Sequence, residues 1–260
     1  MIILAVLAVV ALIAVVAIVA LSRKEEPRPT PGATPSAGPS ATVSTAAPSA
    51  TTSITSPAQF RYQPLWPFAN PAEVKVWQDG YRSGGHSPWA LDPDATAVAF
   101  TTGYLGFTNV NVVVSHSITG DEALVTVGYP IENQAPGIAA VLHLARYGSG
   151  DYVPWEVVGS KDTTLTLTLP GYGTTVRSPV TVGGWITGVD ESIRVQIRQP
   201  SAEQPIGEAP GVPAGGEHTP WSTTVTFHGA TAPALTIVAS TGGHYTDVER
   251  FAITGVRLAA

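Results

Sequence analysis

Polarity along this chain changes in three steps. Met1–Leu21 carries no charged or polar side chain, and fourteen of its twenty-one residues are Ile, Leu or Val. A helix of about 20 residues covers the roughly 30 Å hydrocarbon core of a bilayer. Each Ile, Leu or Val adds about −0.3 to −0.6 kcal/mol on insertion. The pattern therefore predicts a transmembrane anchor over residues 1–21. A cleaved signal peptide is the alternative, because Ala20-Leu21-Ser22 has the small-x-small form of a cleavage site. Against cleavage stand an apolar run longer than the usual ~7–15 residues and Arg23 directly after the cut.

The second step, residues 22–63, has no apolar period. From Pro27 to Gln59, 27 of 33 residues are Pro, Ser, Thr or Ala, and Arg28 is the only charge. Such a stretch cannot bury enough apolar surface to offset its ordering entropy, so a disordered tether is expected. Its seven prolines favour extended polyproline II at about 3.1 Å per residue, a reach approaching ~100 Å. Pro with Ser and Thr is also the composition of O-glycosylated stalks, although a plain spacer satisfies it equally.

The third step alternates apolar and polar positions with helical and then strand periods. Asn70-Pro71-Ala72-Glu73 offers a cap, a first-turn proline and an acidic third position, opening a helix to about Asp79. Asp92-Pro93-Asp94 opens a second. Ala95, Val98, Ala99, Thr102 and Leu105 form its apolar stripe, Phe100, Tyr104 and Phe107 widen it, and Gly103 or Gly106 ends it. Strands are expected over Asn111–Ser117, Glu122–Tyr129, Ile138–Tyr147, Val153–Gly159 and Thr163–Leu169. Turns fall at Ile118–Asp121 and Gly148–Asp151. Helices followed by an antiparallel meander make an α+β module, bounded here at residues 64–171. The order resembles the nuclear-transport-factor-like and cystatin-like folds, with Trp155-Glu156-Val157 similar to the Trp-x-Val of their late strands.

Residues 172–260 read as all β. Val180 and Val182 alternate ahead of Gly183-Gly184, and Ser192–Arg198 puts Ile193, Val195 and Ile197 on one face. Trp221, Val225 and Phe227 share a face, as do Leu235, Ile237 and Ala239. Phe251 and Ile253 point inward before the parity shifts to Val256 and Leu258, which predicts a bulge at Gly255. Arg177-Ser178-Pro179-Val180-Thr181-Val182-Gly183-Gly184, the strand Ile193–Arg198 and Pro220–Phe227 resemble the immunoglobulin-like domain of bacterial spore germination proteins. The usual aromatic-Glu before the third strand is replaced by Gly188-Val189-Asp190-Glu191. The resemblance implies an immunoglobulin-like sandwich of accessory, extracytoplasmic type, and carries over no catalytic residue.

Charge narrows the partners. Beyond Phe60 the chain has 10 Lys/Arg against 17 Asp/Glu, which disfavours nucleic acid. Orientation receives opposing signals. Arg23, Lys24 and Arg28 follow the apolar run and pull toward the cytoplasm. An open tether, no Cys and no phosphate loop or dinucleotide fingerprint fit an exported body. We expect the body outside.

No catalytic set emerges. The six His residues show no zinc spacing, no Gly-x-Ser-x-Gly elbow occurs, and Asp92 with Asp94 reads as helix-start chemistry. No metal and no cofactor is expected. Trp66, Trp77, Tyr81, His86 and Trp89 are candidate binding residues, since Trp and Tyr beside the polar loop 82–88 suit a sugar ring or a partner's anchor. Their other reading is core closure. Glu203, Glu208 and Glu217 are candidates within Pro200–Pro220, which reads as a long loop with a possible edge pairing near Ile206–Ala209. The expectation is a membrane-held, non-enzymatic envelope protein that binds a protein or wall component. The rivals are a wall hydrolase using His86 and Asp92, and a purely structural stalk.

Overall fold

The computed structural model describes residues 60–259; the anchor and most of the tether expected from the sequence lie outside them. Among the described residues no helix is long and apolar enough to cross a membrane. The described chain is α+β, with mostly antiparallel sheets.

Local chemistry starts both helices where the sequence places them. In α1 (Pro71–Gly84) the Asn70 side chain accepts from the Ala72 and Glu73 amides, and Glu73 accepts in return from Ala69 N at 2.8 Å. The helix runs five residues past Asp79. Asp79 pairs with Lys75 and Arg82 along one face, and Gly85, at φ 68°, supplies the left-handed cap. In α2 (Pro93–Ala99) the Asp92 carboxylate caps the Asp94 and Ala95 amides. A π-turn, Phe100–Tyr104, continues it. The buried stripe is Ala97, Phe100, Thr101, Tyr104 and Leu105 rather than the smaller Ala95-Val98-Ala99-Thr102 set. The two aromatic rings carry the most apolar area, and they set which face turns inward.

The first sheet has the order β1 (Val112–Thr119), β2 (Glu122–Tyr129), β3 (Gly137–Arg146), β4 (Trp155–Lys161), all antiparallel. A two-residue turn, Gly120-Asp121, closes β1 on β2. An N-terminal arm runs beside β4: Leu65 N donates to Val157 O, and Val157 N to Trp66 O. Phe60–Gln63, assigned from sequence to the tether, belong to this arm. Phe60 packs on Tyr147, and Gln63 is buried.

The second sheet has the order β5 (Thr175–Val176), β9 (Arg250–Leu258), β8 (Ala234–Thr241), β6 (Val180–Arg198), β7 (Gly207–Val225); only the β5–β9 pairing is parallel. Gly183-Gly184 lie inside β6, which runs through nineteen residues with bulges between Ile186 and Glu191. The glycines are required for close approach, since a Cβ on Gly184 would lie 2.1 Å from Thr166 O. Most of Pro200–Pro220 is strand β7, so the connecting loop is only residues 199–206. Thr163–Leu169 pairs with β6 through Leu165–Ile186 and Leu169–Gly183 bridges rather than joining the first sheet, and Leu169 is exposed.

Gly255 hosts no bulge. β9 pairs with β8 in unbroken register from Arg250 to Arg257. The shift in apolar parity has another cause: both faces of these strands are buried. Ala234, Val238, Phe251 and Ile253 join the core under the first sheet. Leu235, Ile237, Ala239, Ala252 and Val256 join the second core, with Ile193, Val195, Ile197, Leu165 and Leu167. Gly255 is where the arm crosses, and a Cβ there would meet Leu65 at 2.8 Å and Gln63 at 2.9 Å.

Candidate functional site

Register brings opposite charges to one end of the first sheet. Glu122 lies across from Ala145, so the Asp121 turn sits beside Arg146 at the end of β3, and Arg146 N donates to Asp121 O at 2.8 Å. The two residues line a cleft of about 530 Å3 with Leu91, Gly148, Tyr152 and Val153. The volume falls within the ~300–1,000 Å3 of small-molecule sites.

Arg146 and Tyr152 are held in place in the cleft. The Arg146 guanidinium donates through Nη1 to Val153 O and lies 4.2 Å over the Trp155 ring. Partial burial lowers its pKa, and the charge of Asp121 opposes the shift. Arginine stays charged throughout. The loop after β3 is pinned from α1: Gln78 Nε2 donates to the carbonyls of Ser149 (3.1 Å), Asp151 (2.9 Å) and Tyr152 (3.3 Å). Tyr152 is held at φ 58° with its ring 48 % exposed. A non-glycine residue keeps that conformation only where its surroundings impose it.

The structure divides the residues singled out from the sequence. Trp77 and Tyr81 form a row that reaches the cleft. Phe68 packs on Trp77, Trp77 stacks on Tyr81 at 5.5 Å, and Tyr81 meets Tyr152 at 5.0 Å. Trp66 and Trp89 stack on each other at 5.1 Å, half-buried over Phe100 and Tyr104, and close the first core. His86 is exposed after α1. Glu203 is exposed in the loop between β6 and β7, and Glu208 on β7 accepts from Gln196 Nε2 of β6. Glu217 is nine residues further along the same strand, about 30 Å at strand rise. The three glutamates do not converge.

Sequence reasoning missed Arg146, Asp121 and Tyr152. The available signal was a single arginine ending the apolar run of β3 and an aromatic directly after the glycine turn.

A second groove of about 420 Å3 lies where β4 meets β9, lined among others by Tyr62, His143, Lys161, Tyr172 and Thr254. His143 Nε2 donates to Glu122 at 3.0 Å, and Glu122 also takes Arg61. Burial, then Lys161 and Arg61, hold the His143 pKa below its ordinary value, so this ring is neutral at pH 7. Ser160 Oγ, one of the hydroxyls in this groove, donates to Ile253 O and accepts from Ile253 N, which ties it into the junction of the sheets. Among the described residues no group of three His, Asp or Glu is placed to hold a metal ion.

No family model and no curated protein matches the chain.

Proposed function

We propose that the chain is a non-enzymatic binding protein of a bacterial cell envelope, anchored by residues 1–21, spaced from the membrane by the tether, and facing outward with an acidic body. In this reading the half with the first sheet binds a protein or cell-wall component through the Arg146 cleft. The terminal half is an immunoglobulin-like sandwich of the accessory type that its strand motifs resemble. The anchor supplies the membrane partner, and the acidic balance disfavours nucleic acid.

The observation that carries the reading is the construction of the cleft. It gathers a cation, an anion and an exposed ring, and it spends Gln78 and a strained Tyr152 backbone on holding them. Those are recognition groups. Of the pair His86 and Asp92 that a hydrolase here would use, Asp92 already accepts through Oδ1 from two backbone amides at 2.8 and 3.0 Å.

Two experiments test the proposal. Protease added to intact cells should digest the body while cytoplasmic proteins survive; a body that is cut only after lysis overturns the outward orientation. Purified wall and envelope fractions should be retained by the full chain and released by Tyr152→Ala. Equal retention by that variant overturns the cleft as binding site, and no retention by either protein leaves the stalk reading in its place.

A further inference from the structure

We propose that the cleft takes a zwitterion of the α-amino acid type, with an ammonium and a carboxylate on one carbon. The inference rests on the cleft being the binding site. Arg146 and Asp121 face one cavity with opposite charges, close enough for Asp121 to support the charged guanidinium. Yet among the described residues no ion pair joins them. The geometry keeps them apart. Arg146 is committed through Nη1 to Val153 O and through its plane to Trp155, while Asp121 is fixed by its backbone in a two-residue turn.

A gap between opposite charges that do not pair selects for ligand charge. A carboxylate alone gains Arg146 but meets the like charge of Asp121. An ammonium alone gains Asp121 and meets Arg146. A molecule bearing both completes two charge-assisted contacts and repels neither. With Nη1 given to Val153 O, the Nη2–Nε edge of the guanidinium remains to match a carboxylate in two-point contact. The remaining volume, walled by Leu91, Val153 and the exposed ring of Tyr152, receives the side chain. Such a head group occurs as a free amino acid or at the end of a longer side chain in a larger molecule.

The test is an NMR titration of the full chain in detergent micelles, following the amides of Asp121 and Tyr152. Alanine carries both charges, N-acetylalanine lacks the ammonium, alaninamide lacks the carboxylate, and Nε-acetyllysine carries both charges on an extended tail. Saturable shifts are expected with alanine, and binding about tenfold or more weaker with each single-charge analogue. Nε-acetyllysine binding at least as well as alanine assigns the head group to a larger molecule, and its exclusion assigns it to a free amino acid.

Asp121→Asn keeps the backbone carbonyl that receives Arg146 N. It should weaken alanine about tenfold while leaving N-acetylalanine as strong as before or stronger. Arg146→Gln should reverse that order for alaninamide. Absence of shifts with alanine, or equal binding of all four probes, overturns the proposal. If that happens while Tyr152→Ala still releases the envelope fractions, only the ligand class falls. If Tyr152→Ala releases nothing, the cleft reading falls with it.

Discussion

Glu156 shows how one side chain can carry a disproportionate share of pH dependence. It is fully buried on β4, where Oε2 accepts from Phe68 N at 3.1 Å and Oε1 has no partner. Burial pushes its pKa well above the ordinary carboxylate value, against the Phe68 and Trp66 amides, so the folded protein holds it neutral. The folded pKa is raised above the unfolded one. Its contribution to stability is therefore complete below the unfolded value near 4.5 and is lost as pH rises toward the folded value, at about 1.4 kcal/mol per unit of separation. Glu156→Gln removes the ionisation. Its amide leaves a donor unpaired, costing about 1 kcal/mol at low pH, but the loss on going from pH 4 to pH 8 should be smaller than in the parent. Urea titrations at a series of pH values read this directly. Parallel stability profiles for the two proteins would show that folding does not raise the Glu156 pKa. None of this was legible in Trp155-Glu156-Val157, where the glutamate reads as the wet position of an alternating strand. It is buried because the arm, whose Phe68 lies 88 residues upstream, covers that face.

At the scale of elements, what the sequence made legible was what short-range chemistry determines. Asn70 and Asp92 cap the helices as their spacing implies, β2 spans Glu122–Tyr129 as its alternation implies, and Ile193, Val195 and Ile197 are buried to 1 % exposure or less. What failed were glycines and long pairings. Gly255 reads as a bulge, but like Gly183 and Gly184 it marks a neighbouring segment packed too close for a Cβ, and a lone sequence carries the same letter for both. The cleft failed for a related reason. Asp121 and Arg146 meet only through the β2–β3 register, and the aromatic row that the sequence did mark reaches the cleft at Tyr152, a residue hidden behind a turn.

Arg198 is the clearest case of an element junction invisible to periodicity. On β6 it should point to water, but it is 5 % exposed and donates to Tyr104 O at 2.6 Å and Leu105 O at 3.2 Å, the carbonyls that end the helical segment. Arg198→Met keeps the bulk and orphans both carbonyls, so a loss of about 2–4 kcal/mol is expected in urea unfolding. Arg198→Lys, with one point donor, should fall between. Equal stability of Met and parent would show that water replaces the fork without loss.

The largest consequence belongs to the whole described body. β8 and β9 are buried on both faces, so two hydrophobic cores share one pair of strands. The sequence contains the signal. Ala234–Thr241 has no strongly polar residue on either face, the mark of a strand covered on both sides. Reading only Leu235, Ile237 and Ala239 as inward saw one core and missed the other. A shared wall couples the halves, because losing either sheet exposes the apolar face of β8–β9 that the other half cannot cover. At about 25 cal/mol per Å2, that exposure lowers the stability of the surviving half. Unfolding in urea should therefore follow one cooperative transition, with tryptophan fluorescence and far-UV circular dichroism giving superimposable curves. A fragment ending at Gly171 should lack near-UV aromatic signal, since Trp155, Leu65 and Phe100 lose the wall supplied by Phe251 and Ile253. Two separated transitions, or a fragment 60–171 with native aromatic dichroism, would show that the first core closes without β8 and β9. Coupling of this kind would also carry function: a ligand bound in the Arg146 cleft would raise the unfolding midpoint of both probes together, by the same amount, although only one half touches it.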